Sequence, residues 1–177
     1  CPAPSPRARR VTATTSTLAA LVAATVTSGL LAGVYLLYAH TVMPGLRGTD
    51  DRTFVAAFQA LDRAIVNPWF MALGFLGAPV LTAVSLARTW GDAAAGWVAT
   101  ALVLHVVAMV VTARVHLPRN DALKAAGDPD TIADLAAVRR DFDEARWSRW
   151  NLVRVVASIA ATGCLAWALA LSGRAGG

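Results

Sequence analysis

Four long apolar segments in a chain of 177 residues specify an all-α protein, a four-transmembrane-helix bundle. Composition says the same: 56% of residues are hydrophobic, only 15% are charged, and mean hydropathy is +0.54. A water-soluble domain of ordinary composition is far more polar. The segments also have the right length, since crossing the hydrocarbon takes about 20 mainly apolar residues. They run over about 18–42, 69–87, 96–115 and 152–171, with both termini on one side. An unpaired charge in hydrocarbon costs about 2.5–3.5 kcal/mol even on a lenient scale. Polar residues at the edges of these segments are therefore the first candidates for function: His40, Asn67, Arg114, His116, Asn120, Asn151 and Arg154.

The chain opens with a basic, Pro- and Thr-rich stretch, read as a disordered tail over 1–14. Arg7, Arg9 and Arg10 before an apolar run mimic a signal peptide, but the run is too long for one and is read as span one. Between spans one and two, Phe54, Phe58, Leu61 and Ile65 recur at steps of three and four, predicting an amphipathic helix after span one with one apolar face. Asp50 or Thr49 can cap its start, and Asn67-Pro68 ends it, because a residue before proline avoids the helical region. After span three, Gly127 to Pro129 makes a turn, and Pro129 to Trp150 reads as a helical extension before span four, almost continuous with it. Pro44, Pro68, Pro79 and Pro118 read as helix ends or kinks. Residues 15–172 thus form one membrane domain, followed by a flexible tail over 173–177.

Net charge is +5 and the pI is near 10.2, yet no soluble domain or basic aromatic module exists to hold nucleic acid. Juxtamembrane arginines in contact with membrane lipid account for the charge. Because arginines are common on both sides of the spans, membrane orientation stays open. The Ala-rich, Arg-over-Lys composition fits a bacterial cell membrane. Phosphate-loop, dinucleotide and His-x-x-x-His signatures are missing, so no metal site is read, and Cys1 and Cys164 are not expected to pair.

On span three, His105, Met109, Thr112 and His116 make one stripe toward the loop side. On span one, Gly29, Gly33 and His40 share a face, and small residues four apart let helices approach, so His40 is expected to face protein. Trp147, Asn151 and Arg154 align at the start of span four, with Trp150 beside them. Each has a plainer reading: the indoles as interfacial anchors, His105 as a core histidine bonded to a carbonyl, the amides as cross-braces. Taken together, histidine bases, amides and an arginine suit a pocket for a small hydrophobic aromatic ligand with an acidic proton. The alternative is a non-catalytic protein that binds a lipid or quinone, or an accessory subunit. A transporter is disfavoured because broken helices and inverted repeats are missing.

The ordered set Val42-Met43-Pro44-Gly45-Leu46, Ala64-Ile65-Val66-Asn67-Pro68-Trp69-Phe70, Val111-Thr112, Leu117-Pro118-Arg119-Asn120-Asp121-Ala122-Leu123 and Arg146-Trp147-Ser148-Arg149-Trp150-Asn151-Leu152-Val153-Arg154 resembles the anthrone oxygenase-like membrane family, also catalogued as a domain of unknown function. One departure lies at His116, where many members carry Asn. The resemblance implies a four-helix membrane protein whose relatives oxidise anthrones to anthraquinones with molecular oxygen and no other cofactor. On that reading His40 or His116 removes the methylene proton, and Arg154 or Arg114 stabilises the oxyanion. Asn67, Asn120 and Asn151 then orient ring oxygens, and Trp147 or Trp150 stacks on the ring.

Overall fold

A computed structural model describes residues 6–175, and helices with their connecting turns account for all of them. Cys1 and the first part of the predicted tail lie outside the described residues. The backbone is already helical at Pro6, inside the stretch expected to be a tail. In chain order the elements are α1 (Pro6–Leu37), α2 (Met43–Arg47), α3 (Asp51–Ile65), α4 (Gly77–Arg88), α5 (Ala95–Val111), α6 (Leu117–Ala125), α7 (Leu135–Phe142) and α8 (Glu144–Ala175). Four rods, Thr14–Arg47, Phe70–Arg88, Ala95–Ala125 and Leu135–Arg174, are long and apolar enough to cross a membrane. α1 packs on α4 and α8, and α5 packs on the same two, so the rods close into a four-membered ring.

Small residues set how closely the ring closes. α1 turns Leu21, Ala24, Ser28, Leu31, Ala32 and Tyr35 inward, a seam at steps of three and four. The small residues on it are Ala24, Ser28 and Ala32, and Ser28 bonds the Thr162 hydroxyl of α8 at 2.9 Å. This corrects the expected face only in part: a Cβ at Gly29 would lie 3.8 Å from Thr162 Cγ2 of α8, so Gly29 is at the contact and Gly33 is not. A Cβ at Gly33 would meet nothing within 4 Å, and His40, seven residues further on, is exposed on the same side.

Three of the rods carry a π-helical turn: Tyr38–Val42, Phe70–Phe75 and Thr112–His116. A proline follows each one. Pro44, Pro79 and Pro118 have no N–H to give the carbonyl four residues back, which belongs to His40, Phe75 and Arg114, all inside a π turn. Ring contact with that carbonyl is relieved by one extra residue in the turn, and the next amides bond five back: Met43 to Tyr38, Leu76 to Met71 and Leu117 to Thr112. The prolines therefore widen the rods without ending them. Gly77 belongs to the same device, for an ideal Cβ there would lie 2.6 Å from the Ala72 carbonyl oxygen.

On the loop side α3 and α7 form a cap over the ring. Asp50 caps α3 by accepting from the Thr53 N–H at 3.0 Å, and the Thr53 hydroxyl also donates to it. These bonds favour the charged carboxylate and hold the Asp50 carboxyl below its ordinary range. The buried face of α3 is Phe54, Val55, Phe58, Gln59 and Asp62, while Leu61 stands 38% exposed. The face is thus rotated from the one read through Leu61 and Ile65, and it carries two polar residues inward. Phe54, Phe58, Phe142 and Trp147 pack ring against ring, with centroids 4.6–6.3 Å apart. Arg139 clamps the outside of this cap, bonded to the Thr49 carbonyl and Asp51 and lying 4.4 Å above the Phe54 ring. The extension, expected to be almost continuous with span four, is interrupted at Asp143, the one described non-glycine residue with positive φ, 53°. Aspartate tolerates that conformation, and its carboxylate accepts from the Arg146 N–H, starting α8 anew.

Candidate functional site

A cavity of about 220 Å³ lies where the cap meets the ring. All three π turns open onto it, contributing Tyr38, then Phe70, Met71 and Phe75, then Thr112 and His116. The extra residue in each turn displaces side chains that a straight helix would keep in its own packing, which is how π bulges come to line sites. The remaining wall comes from α1 (Val34, Tyr35), α3 (Phe58, Asp62, Ile65), α6 (Leu117, Asn120) and α8 (Trp147, Arg154), with Val66 at the rim. Most of it is apolar. Val66 and Leu117 are 61% and 46% exposed, so the cavity opens to the outside of the bundle beside them.

Arg154 is the unusual member. It is only 7% exposed, yet none of the ion pairs among the described residues includes it. Its Nη2 donates to Asn151 Oδ1 at 2.7 Å and its Nη1 to Thr112 Oγ1 at 3.2 Å. The guanidinium lies 4.3 Å above the Tyr35 ring, and 5.5 Å from that of Trp147. Its Nε has no hydrogen-bond partner. Neutral groups therefore hold a buried cation against the cavity without an anion to balance it, an arrangement that costs several kcal/mol of desolvation.

His116 sits beside it, 1% exposed, its ring 4.7 Å from Trp147 and edge-on to it. Nδ1 lies 3.4 Å from the Val111 carbonyl and Nε2 lies 3.3 Å from that of Trp147. A neutral imidazole donates at only one nitrogen, so it bonds one of these two carbonyls at a time and the other nitrogen keeps its lone pair. At the cap end a second network crosses three elements. Trp147 Nε1 donates to Asn120 Oδ1 at 3.0 Å, Asn120 Nδ2 donates to Asp62 Oδ1 at 2.7 Å, and Lys124 Nζ lies 2.7 Å from Asp62 Oδ2.

Of the residues singled out from sequence, His116, Asn120, Trp147 and Arg154 meet at the cavity, with Asn151 directly behind Arg154. Asn151 Nδ2 also donates to the Tyr35 carbonyl at 3.0 Å, tying α8 to α1 as a brace would. The others stand elsewhere. His40 is exposed, and its Nδ1 lies 2.6 Å from the Thr41 hydroxyl. Asn67 caps the next helical segment, its Oδ1 accepting from the Phe70 N–H while its Nδ2 donates to the Ala64 carbonyl. Arg114 is exposed, and Trp150 is 38% exposed and off the cavity wall. His105 is the core histidine of the plainer reading, with Nδ1 2.7 Å from the Ala101 carbonyl. Tyr35, Tyr38 and Asp62 were missed. The tyrosines follow the inward seam of α1, a signal available in the sequence. Asp62 falls outside the four spans, where an acid reads as solvated.

A membrane-type four-helix bundle with a buried, uncompensated guanidinium in an aromatic cavity is the class of protein defined here. The anthrone oxygenase family model matches residues 66–164, and the chain belongs to that family. Neither a curated protein nor a solved structure matches it. The matched stretch holds Thr112, His116, Asn120, Trp147, Asn151 and Arg154, whereas Tyr35, Tyr38 and Asp62 precede it.

Proposed function

We propose that the protein oxygenates a flat aromatic ketone of the anthrone type in this cavity, near the loop-side face of the membrane, with molecular oxygen as co-substrate and no cofactor. The observation that carries the reading is Arg154, a buried cation that a bound enolate or phenolate would neutralise. His116 takes one methylene proton, and the carbanion it leaves is delocalised onto the ring oxygen that faces Arg154. That carbanion gives one electron to oxygen, the two radicals join as a peroxide at the same carbon, and His116 returns the proton to it. Loss of the second methylene proton forms the carbonyl and breaks the O–O bond. One oxygen atom stays in the quinone and the other leaves as water, so a single base serves both proton transfers. Trp147 supplies part of the aromatic wall, and Tyr35 supports the guanidinium through its ring face.

A second reading has its own support. The Asn151 bond to the Tyr35 carbonyl and the Arg154 bond to Thr112 are those of a cross-helix brace, and a brace beside a cavity fits a protein that holds a lipid or quinone without changing it. Oxygen uptake and quinone formation by the purified protein with a panel of anthrones separates the two. Equal molar consumption of oxygen and appearance of quinone supports the oxygenase; tight binding of anthrones with neither change, in a folded and monodisperse sample, supports the binder.

A further inference from the structure

Asp62 is the one carboxylate in the described wall of a mostly apolar cavity, and the chemistry proposed for Arg154 and His116 leaves it without a task. It is 8% exposed, on the buried face of α3. Its place is fixed from two directions, since Oδ1 accepts from Asn120 at 2.7 Å and Oδ2 meets the Lys124 ammonium at 2.7 Å. A carboxylate has roughly four lone-pair sites, so about two remain free to accept. Its partner Asn120 also sits at a different level of the bundle from the partner of Arg154. Thr112, which bonds Arg154, and Asn120, which bonds Asp62, lie on one helical rod eight residues apart, about 12 Å at the helical rise of 1.5 Å per residue. The apolar part of the lining includes Phe58, Phe70, Phe75, Val34 and Met71.

We infer that the cavity is bipolar and that Asp62 determines specificity: it selects ligands that present a hydrogen-bond donor, a hydroxyl or amine, at the end of the ring system far from the oxygen held by Arg154. Burial sharpens the choice. A ligand with an ether or bare carbon there leaves the remaining acceptor sites dry and unpaired, whereas a donor satisfies them with a charge-assisted bond. Bonds of that kind correspond to about tenfold or more in affinity. Lys124 lies 2.7 Å from Asp62 and retains a second partner in Asp121 at 3.1 Å, so it does not depend on the ligand. The inference rests on the aromatic-ligand reading above and deepens it by naming the substituent.

The test uses oxidised ligands, so that turnover plays no part. Dissociation constants of 2-hydroxyanthraquinone and 2-methoxyanthraquinone are measured by tryptophan fluorescence for the full chain in lipid nanodiscs, at a pH where the hydroxyl is protonated. Wild type is expected to prefer the hydroxyl compound by about tenfold or more. The ratio should fall to near one in Asp62→Asn, which keeps an acceptor for Asn120, and persist in Lys124→Gln, which keeps the carboxylate. A ratio near one in wild type, or a preference unchanged in Asp62→Asn, overturns the role of Asp62. If folded wild type binds neither compound, the aromatic-ligand reading itself fails, and the inference with it.

Discussion

Replacing Arg154 by methionine separates a cation kept for a ligand from one kept for the fold. The side chain is 7% exposed, donates to Thr112 and Asn151, and stacks on Tyr35. Two bonds from a charged donor contribute about 1.5–3 kcal/mol each, and a desolvated cation over a ring adds about 2 kcal/mol. Against roughly 5–8 kcal/mol from those contacts stands a desolvation cost of several kcal/mol for an ion with no carboxylate beside it. The opposing quantities nearly cancel. Methionine removes both and leaves Asn151 Oδ1 without its donor, which costs about 1–3 kcal/mol. If Arg154 were half of a structural ion pair, its loss would cost about 3–5 kcal/mol. Transition-state binding is a different matter, because losing one preorganised group at a developing oxyanion lowers turnover by about 10²–10³-fold. Thermal unfolding in nanodiscs and initial rates of quinone formation measure the two effects on one sample. A modest loss of stability with a large loss of turnover is expected. Full turnover in a folded Arg154→Met protein refutes the reasoning.

Other perturbations probe the rest of the site. His116→Gln should lower turnover by about 10²–10⁴-fold, while His40→Ala, outside the cavity, leaves initial rates as in wild type. Gly77→Ala forces a Cβ against the Ala72 carbonyl and should cost about 1–3 kcal/mol, read as a lowered unfolding midpoint with reduced ligand affinity as the adjoining π turn shifts. The Asp50 carboxyl is held below its ordinary value of 3.8 by Thr53. Its support of α3 is therefore complete above that value and is lost as pH falls through the lower folded value. Protection factors in the first turn of α3, corrected for the intrinsic pH dependence of exchange, should fall on acidification in wild type and stay flat in Asp50→Asn.

Much of the architecture was written in the pattern of residues. Span positions follow from apolar length, the cap of α3 from Asp50, and the inward set of Trp147, Asn151 and Arg154 from steps of four and three. The errors share a cause. Face arithmetic assumes a straight helix, and Gly33 was taken as a contact residue where Ala24, Ser28 and Ala32, with Gly29, carry the contact. That put His40 on the wrong side. Pro44, Pro79 and Pro118 were legible as irregularities, but a kink, an end and a widened turn look alike in sequence, and only the last brings Tyr38, Phe70 and His116 to one cavity. Asp62 escaped notice because a carboxylate on an amphipathic helix reads as solvated; its burial depends on Asn120 and Lys124, more than fifty residues away in the chain. Asn67, read as a ligand-orienting amide, is a helix cap beside its proline.

Mixing anthrone with the purified protein in the absence of oxygen tests most directly whether the cavity holds its ligand as an anion against Arg154. At a pH where free anthrone is the neutral ketone, wild type should produce the long-wavelength absorbance of the anthrone anion, and Arg154→Met should not. Bound anthrone that keeps the spectrum of the neutral ketone in wild type would contradict the role given to the guanidinium.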